Sequence, residues 1–149
     1  DAYRESRTTY LREKRRNDPI FRMQHNLRSR VHWALTHQET TKDETTMKLV
    51  GCDLDTLVYF LESNFDNHMS WENYGEWHVD HIRPCASFHL GEDGQQKVCF
   101  NWRNLFPLWG EDNQIKGNKY EPKDEGDWVL HMQDLGYGGE LFLKYHNHQ

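Results

Sequence analysis

The sequence predicts an α+β fold in which helices come first and a strand–loop–strand–helix unit follows. Three observations support this. Apolar residues recur with helical period at Ile20, Met23, Leu27, Val31 and Leu35. Two short stretches, "WHVDHIRP" (77–84) and "NLFPLW" (104–109), have strand character. The second runs directly into "GEDNQIKGNK" (110–119), which reads as a short helix ended by Gly117.

The elements follow in order. Pro19 suits the first turn of a helix over 19–36, and Asp18 or Asn17 can cap it. Arg22, Arg28 and Arg30 lie off its apolar stripe. The polar run "HQETTKDETT" (37–46) reads as a loop. Asp53 caps a second helix whose buried stripe is Leu54, Leu57, Val58, Leu61 and Phe65. "DNHMSWENYGE" (66–76) is a turn-rich connection with Trp71 and Tyr74 as anchors. Pro84 ends the pairing of the first strand, and Pro107 limits the second. The excursion "CASFHLGEDGQQKVCF" carries a short helix from about residue 93 to 100. "EPKDEGD" (121–127) reads as an acidic break before a docked helix from Trp128 to about Leu135, which Gly136, Gly138 and Gly139 terminate. The expected organisation is a basic helical arm (1–45), a helix and connection packed on the core (46–76), the strand–helix unit (77–120) and a C-terminal extension (121–149).

Composition narrows the function classes. A chain of 149 residues can bury one core, and 13% aromatics supply the area to do so, which excludes a disordered chain. No apolar run approaches bilayer thickness, so no membrane partner is expected. The chain begins at Asp1 without a methionine or a charged-then-apolar leader, and is expected to be a piece of something longer. Cys52, Cys85 and Cys99 form no C-x-x-C pair and read as buried free thiols in a reducing compartment. The net charge of −6 hides an asymmetry. Residues 1–36 hold nine Lys/Arg against four acids, a net of +5, whereas residues 37–149 hold nine against twenty, a net of −11. Such a split suggests a basic arm for a polyanion held along a restricted track, the plain alternative being a solvated helix face.

The chemistry lies in Asp80, His81, Asn104 and Asn113. A strand pair crossed by a helix brings such positions together. Aspartate and asparagine oxygens are hard ligands that suit magnesium or manganese. A neutral histidine beside them can take a proton from water, and Asn104 is the candidate to orient its ring. These are parts for phosphodiester hydrolysis. His78 competes with His81 as base, but shares a strand face with Asp80 and is read as a packing or supporting histidine. His25, His32, His37, His68, His89, His131, His146 and His148 follow no ligand spacing.

"WHVDHIRP", "NWRNLFPLW" and "EDNQIKGNK" resemble the HNH endonucleases, and among them the phage and large-virus branch with D-H, then N-L, then N on the helix. The likeness covers residues 77–119 and extends more weakly upstream. It implies a ββα-metal core and a divalent-metal-dependent DNA endonuclease, a hydrolase leaving 5′-phosphate and 3′-hydroxyl ends. It implies His81 as general base, Asp80 and Asn113 as ligands of magnesium (manganese substituting), and Asn104 as the asparagine that positions the histidine. Lys116 and Lys119 would lie near the phosphates, joining Arg28, Arg30 and Arg83 as expected DNA contacts. Asn113 stands where many members carry a histidine, a departure that favours magnesium over zinc. The expected setting is intracellular, cytoplasmic or nuclear, with phage or viral origin, and a homodimer if both strands are cut. Two other readings stay open: a DNA-binding module of the same fold that cleaves little, and a zinc-stabilised interaction domain using Cys and His.

The segment 77–119 balances five basic residues against five acids, so attraction to DNA must come from upstream. Each phosphate contact adds about 0.9 to the slope of log affinity against log salt. Replacing Arg28 and Arg30 together should lower that slope by roughly one to two, measured as affinity across a salt series. An unchanged slope would reduce the arm to a solvated face.

Overall fold

A computed structural model describes residues 1–145; His146 and His148 fall outside the described residues. Two helices open the chain, α1 (Ala2–Asn17) and α2 (Pro19–His37). The Asp1 carboxylate caps α1 by accepting from the Arg4 N–H at 3.0 Å. The Asp18 carboxylate caps α2 from the Phe21 N–H at 3.0 Å, with Pro19 in the first turn. Between them Asp18 is extended, and across this turn Arg22 of α2 donates to the Arg15 carbonyl of α1 at 3.1 Å. No α1 side chain is buried among the described residues, whereas α2 buries Met23, Leu27, Val31 and Leu35.

A short α3 (Thr46–Val50) closes on Gly51, whose φ of 80° suits a residue without Cβ. Then α4 (Leu54–Ser63) starts from Asp53, which accepts from the Thr56 N–H at 2.8 Å. It ends before Phe65, and that ring instead meets Trp77 edge-on at 4.9 Å. Strand β1 (Trp77–His81) pairs antiparallel with β2 (Leu105–Trp109), His81 opposite Leu105 and Trp77 opposite Trp109. The excursion between them holds α5 (Gln95–Cys99), and α6 (Gly110–Lys116) follows β2. The protein is thus mixed α and β, with seven α-helices and a small two-stranded antiparallel sheet among the described residues. None of those helices is long and apolar enough to cross a membrane.

The acidic segment 121–127 is not a break. It forms the first turns of α7 (Pro122–Asp134). Glu121 and Asp124 cap each other's backbone reciprocally, and Pro122 occupies the first helical position. Acids there face the positive end of the helix dipole. The clustering of charge signalled a helix start, not a loop. Farther along α7, buried Glu125 accepts from the Tyr120 hydroxyl and from the Lys144 and Tyr145 N–H groups, which folds the C-terminal segment back onto the body.

Two apolar clusters form the interior, and α2 serves both. Met23 and Leu27 pack with Leu57, Leu61, Trp77, Val79 and Leu105. One and two turns later Val31 and Leu35 pack with Phe88, Val98, Phe100, Trp128 and Met132. Leu27→Ala should therefore cost about 2–5 kcal/mol, because the surroundings close only partly over the void. Tyr10→Ala, on the exposed α1, should stay within about 0.5 kcal/mol. Urea denaturation of the two variants checks both figures.

Candidate functional site

The pleat of β1 sorts its side chains. Trp77, Val79 and His81 are buried, while His78 and Asp80 alternate with them and are half-buried. Three elements converge on Asp80. Its Oδ2 accepts from Lys116 Nζ of α6 at 2.8 Å, and the same ammonium donates to the His81 carbonyl. Arg30 of α2 donates to the Val79 carbonyl and holds its guanidinium 4.0 Å from Asp80 Oδ1. Asn113 lies three residues before Lys116, so it shares that face of α6. Asp80 and Asn113 are therefore both carried to the junction of strand and helix.

Beside this junction runs a groove of about 460 Å³. Arg30 and Trp33 form its α2 wall, and Tyr74, His78, His81 and Cys85 line the other. Trp33 is 71% exposed at its rim. Burial and the neighbouring Arg30 charge pull His78 below its usual 6.5, so its ring is neutral at pH 7.

His81 has a second set of neighbours. A turn at Cys85–Ser87 after Pro84 places Cys85 beside the ring, and α5 delivers Cys99 behind it. The two sulfurs are 3.5 Å apart, and one ligand atom from each of His81, Cys85 and Cys99 lies within 4.8 Å of the others. His81 Nε2 is buried and has no hydrogen-bond partner among the described residues. A hydrogen bond from Cys99 and the nearby His81 draw the Cys85 thiol down, while burial pushes Cys99 up. Cys85 and Cys99 are free thiols, as the sequence suggested, but with His81 they make a cluster that could hold a metal. Thiolate and imidazole are donors for zinc, not magnesium. Nothing but the interval from His81 to Cys85 marked the cluster in the sequence, because Cys99 joins it only through the fold. Cys52 stays apart, its thiol pushed up to about 11 chiefly by burial.

Asn104 sits where the excursion returns to β2, fully buried. Its Oδ1 accepts from the Arg83 N–H at 2.9 Å and from Trp128 Nε1 at 2.8 Å. Its Nδ2 donates to the Arg83 carbonyl at 3.1 Å and the Cys99 carbonyl at 2.8 Å. Among the described residues it makes no hydrogen bond to the His81 ring, so any influence on His81 passes through the main chain. Arg83 is a clear correction as a DNA contact. It is 1% exposed, its guanidinium donating to Ser87 and the Leu141 carbonyl and stacking on Phe88 at 3.8 Å. Its guanidinium is spent on these interior partners and not turned to solvent. Arg28 and Lys119 are exposed, Lys116 is engaged with Asp80, and Arg30 is half-buried against β1.

No protein-family model and no solved structure matches the chain. Two curated relatives are viral. Both are uncharacterized proteins of Acanthamoeba polyphaga mimivirus, one 39% identical over 119 residues and one 40% identical over 117. The alignments cover 79% and 76% of this chain but 50% and 51% of the relatives, so the chain spans about half the length of the curated relatives it matches.

With both lone pairs and both N–H groups of its amide engaged, Asn104 is saturated. Asn104→Ala should leave the Trp128 indole, the Arg83 N–H and two carbonyls without partners and cost about 3 kcal/mol or more. Asn104→Asp, which loses the two donations but keeps both acceptances, should also be destabilising. A stability within about 0.5 kcal/mol of wild type in thermal or chemical denaturation would contradict the clamp.

Proposed function

We propose that the protein is a divalent-metal-dependent DNA endonuclease of HNH type, built on a ββα-metal core of β1, β2 and α6. The observation that carries the reading is the convergence on Asp80 of β1, with α6 presenting Asn113 and Lys116 on one face and α2 bringing Arg30. The donor set fits a hard ion. Asp80 Oδ1 keeps free lone pairs because Arg30 stands 4.0 Å away, and an asparagine amide oxygen lies on the facing helix. Two oxygen ligands leave places for water and for a substrate phosphate, which is how magnesium is usually held. When bound, such an ion would stabilise charge on the phosphate and the leaving oxygen.

The chain's own residues do the rest. His81, which lines the groove, would take the proton of the attacking water. Lys116 and Arg30 hold the Asp80 carboxylate in place, and their positive charge suits the phosphate that would lie against it. Exposed cations of α1 and α2, Arg28 among them, would draw in the DNA backbone, with Trp33 at the groove rim as an aromatic surface for it. A single site cuts one strand, so cleavage of both would need a homodimer or two successive nicks. The mimivirus relatives favour a viral setting for such an enzyme.

Supercoiled plasmid incubated with magnesium, manganese or chelator is the test. Relaxation or linearisation is expected with either ion and none with chelator. His81→Ala should lose about a hundredfold or more in rate while still retarding DNA, since general-base catalysis is worth at least that. Asp80→Ala should also be inactive. Near-normal cutting by His81→Ala alongside an inactive His78→Ala would move the base to His78. Retardation of DNA without any cleavage would leave a binding module.

A further inference from the structure

The two sulfurs behind β1 have no place in magnesium chemistry. We propose that His81, Cys85 and Cys99 form a binding site for a thiophilic divalent ion, zinc foremost, with a fourth coordination position open to the groove.

Geometry supports it first. A tetrahedral zinc with bonds of about 2.3 Å to sulfur sets two thiolates about 3.8 Å apart. The Cys85 and Cys99 sulfurs stand at 3.5 Å, and the whole ligand set spans no more than 4.8 Å. Small shifts would seat the ion. The second support is independent of the sulfurs. His81 is 6% exposed, and its Nε2 is a buried nitrogen without a hydrogen-bond partner among the described residues, a state that native interiors rarely leave unrelieved. A metal among the three residues would satisfy it. The third is access. His81 and Cys85 line the groove whereas Cys99 is fully buried, so protein closes the rear of the site and leaves its front open. Three protein ligands with one free position is the arrangement in which zinc keeps a water or an exogenous ligand. The supporting shell exists as well: Asn104 donates to the Cys99 carbonyl and fixes that ligand's main chain. Binding would release the two thiol protons to solvent and require a neutral His81.

The ion would bind through the ring that the nuclease reading uses as base. On that reading, zinc and cleavage compete for His81, and zinc inhibits the magnesium-dependent reaction. Binding itself does not depend on that reading.

The test uses the purified 149-residue chain, reduced with a phosphine. One equivalent of zinc should remain after gel filtration. Cobalt added in its place should give thiolate-to-metal charge-transfer absorption in the near ultraviolet. Cys85→Ser should weaken zinc binding by at least about a hundredfold, since even the loss of an outer partner costs up to that much. Cys52→Ser should leave it intact, and circular dichroism checks that each variant is folded. Absence of the charge-transfer band in the wild type would overturn the site without recourse to any variant. So would equal zinc retention by Cys85→Ser and the wild type. In a parallel arm, zinc should suppress plasmid cleavage in magnesium, at higher concentration for Cys85→Ser. No cleavage in magnesium alone would sink the nuclease reading and leave the zinc result standing.

Discussion

The Asn104 amide holds together four pieces of chain that would otherwise have no reason to meet. It grips the main chain just after β1 on both sides of Arg83, the end of α5 at Cys99 and the Trp128 indole of α7. Its own backbone continues the ladder, accepting from the Ile82 N–H at 2.8 Å. A buried amide with two donors and two lone pairs is costly to leave partly satisfied, so once all four partners are present the arrangement is strongly specified. Every candidate functional group near the sheet inherits its position from this clamp. The strand end carries Asp80 and His81, the excursion carries Cys85 and Cys99, and β2 leads into the helix that bears Asn113 and Lys116.

Arg83 extends the same centre. A guanidinium at 1% exposure must find partners for its N–H groups. It finds them in Ser87 and in the Leu141 carbonyl, with Phe88, Trp128 and Tyr120 around its faces. Buried Glu125 then receives Lys144 and Tyr145 from the same returning segment. A cation and an anion thus tie down the C-terminal stretch. Burial lowers the Arg83 pKa against the pull of Tyr120 and Glu125, yet a guanidinium stays charged in any ordinary buffer. Arg103 is used in a similar way: it donates to the Leu135 carbonyl at the end of α7 and stacks on Trp102 at 4.3 Å. The cations of the strand–helix unit are largely structural. The arginines left facing solvent, Arg4, Arg7, Arg12, Arg16 and Arg28, all belong to α1 and α2, which is where the sequence concentrates positive charge.

Much of the fold was legible because local physics decides it. The stripe Met23, Leu27, Val31, Leu35 has one helical reading, and Asp18 and Asp53 cap where their chemistry suits. The order of β1, excursion, β2 and α6 followed from alternation, prolines and Gly117. The start of α7 was missed because Pro and clustered acids punctuate loops as well as helix N-termini, and only the reciprocal pairing of Glu121 with Asp124 separates the two. For the site, Asp80 stands at the end of β1 and Asn113 on α6, the two elements to which the spacing assigned them. The roles of Arg83, Asn104, Cys85 and Cys99 were hidden, because each depends on a partner far along the chain. Arg83 sits beside Asp80 and His81 in sequence and looked like part of the same polar run. The pleat and the turn after β1 send it inward instead.

That pleat also sets the chemistry of the site. Asp80 and His81 are consecutive, so their side chains leave β1 on opposite faces. Asp80 meets hard partners, an ammonium, a guanidinium and an amide-bearing helix. His81 meets two sulfurs and the edge of Phe100 at 5.7 Å. The softness of the groups presented therefore changes across one peptide bond. His81 touches both environments: its main-chain carbonyl accepts from the Lys116 ammonium that also grips Asp80, while its ring lies beside the thiols. Any shift of α6 that loosens Lys116 acts on both carboxylate and histidine backbone, and any ion drawn to the sulfurs acts on the ring itself. The behaviour of the two faces is coupled through this one residue.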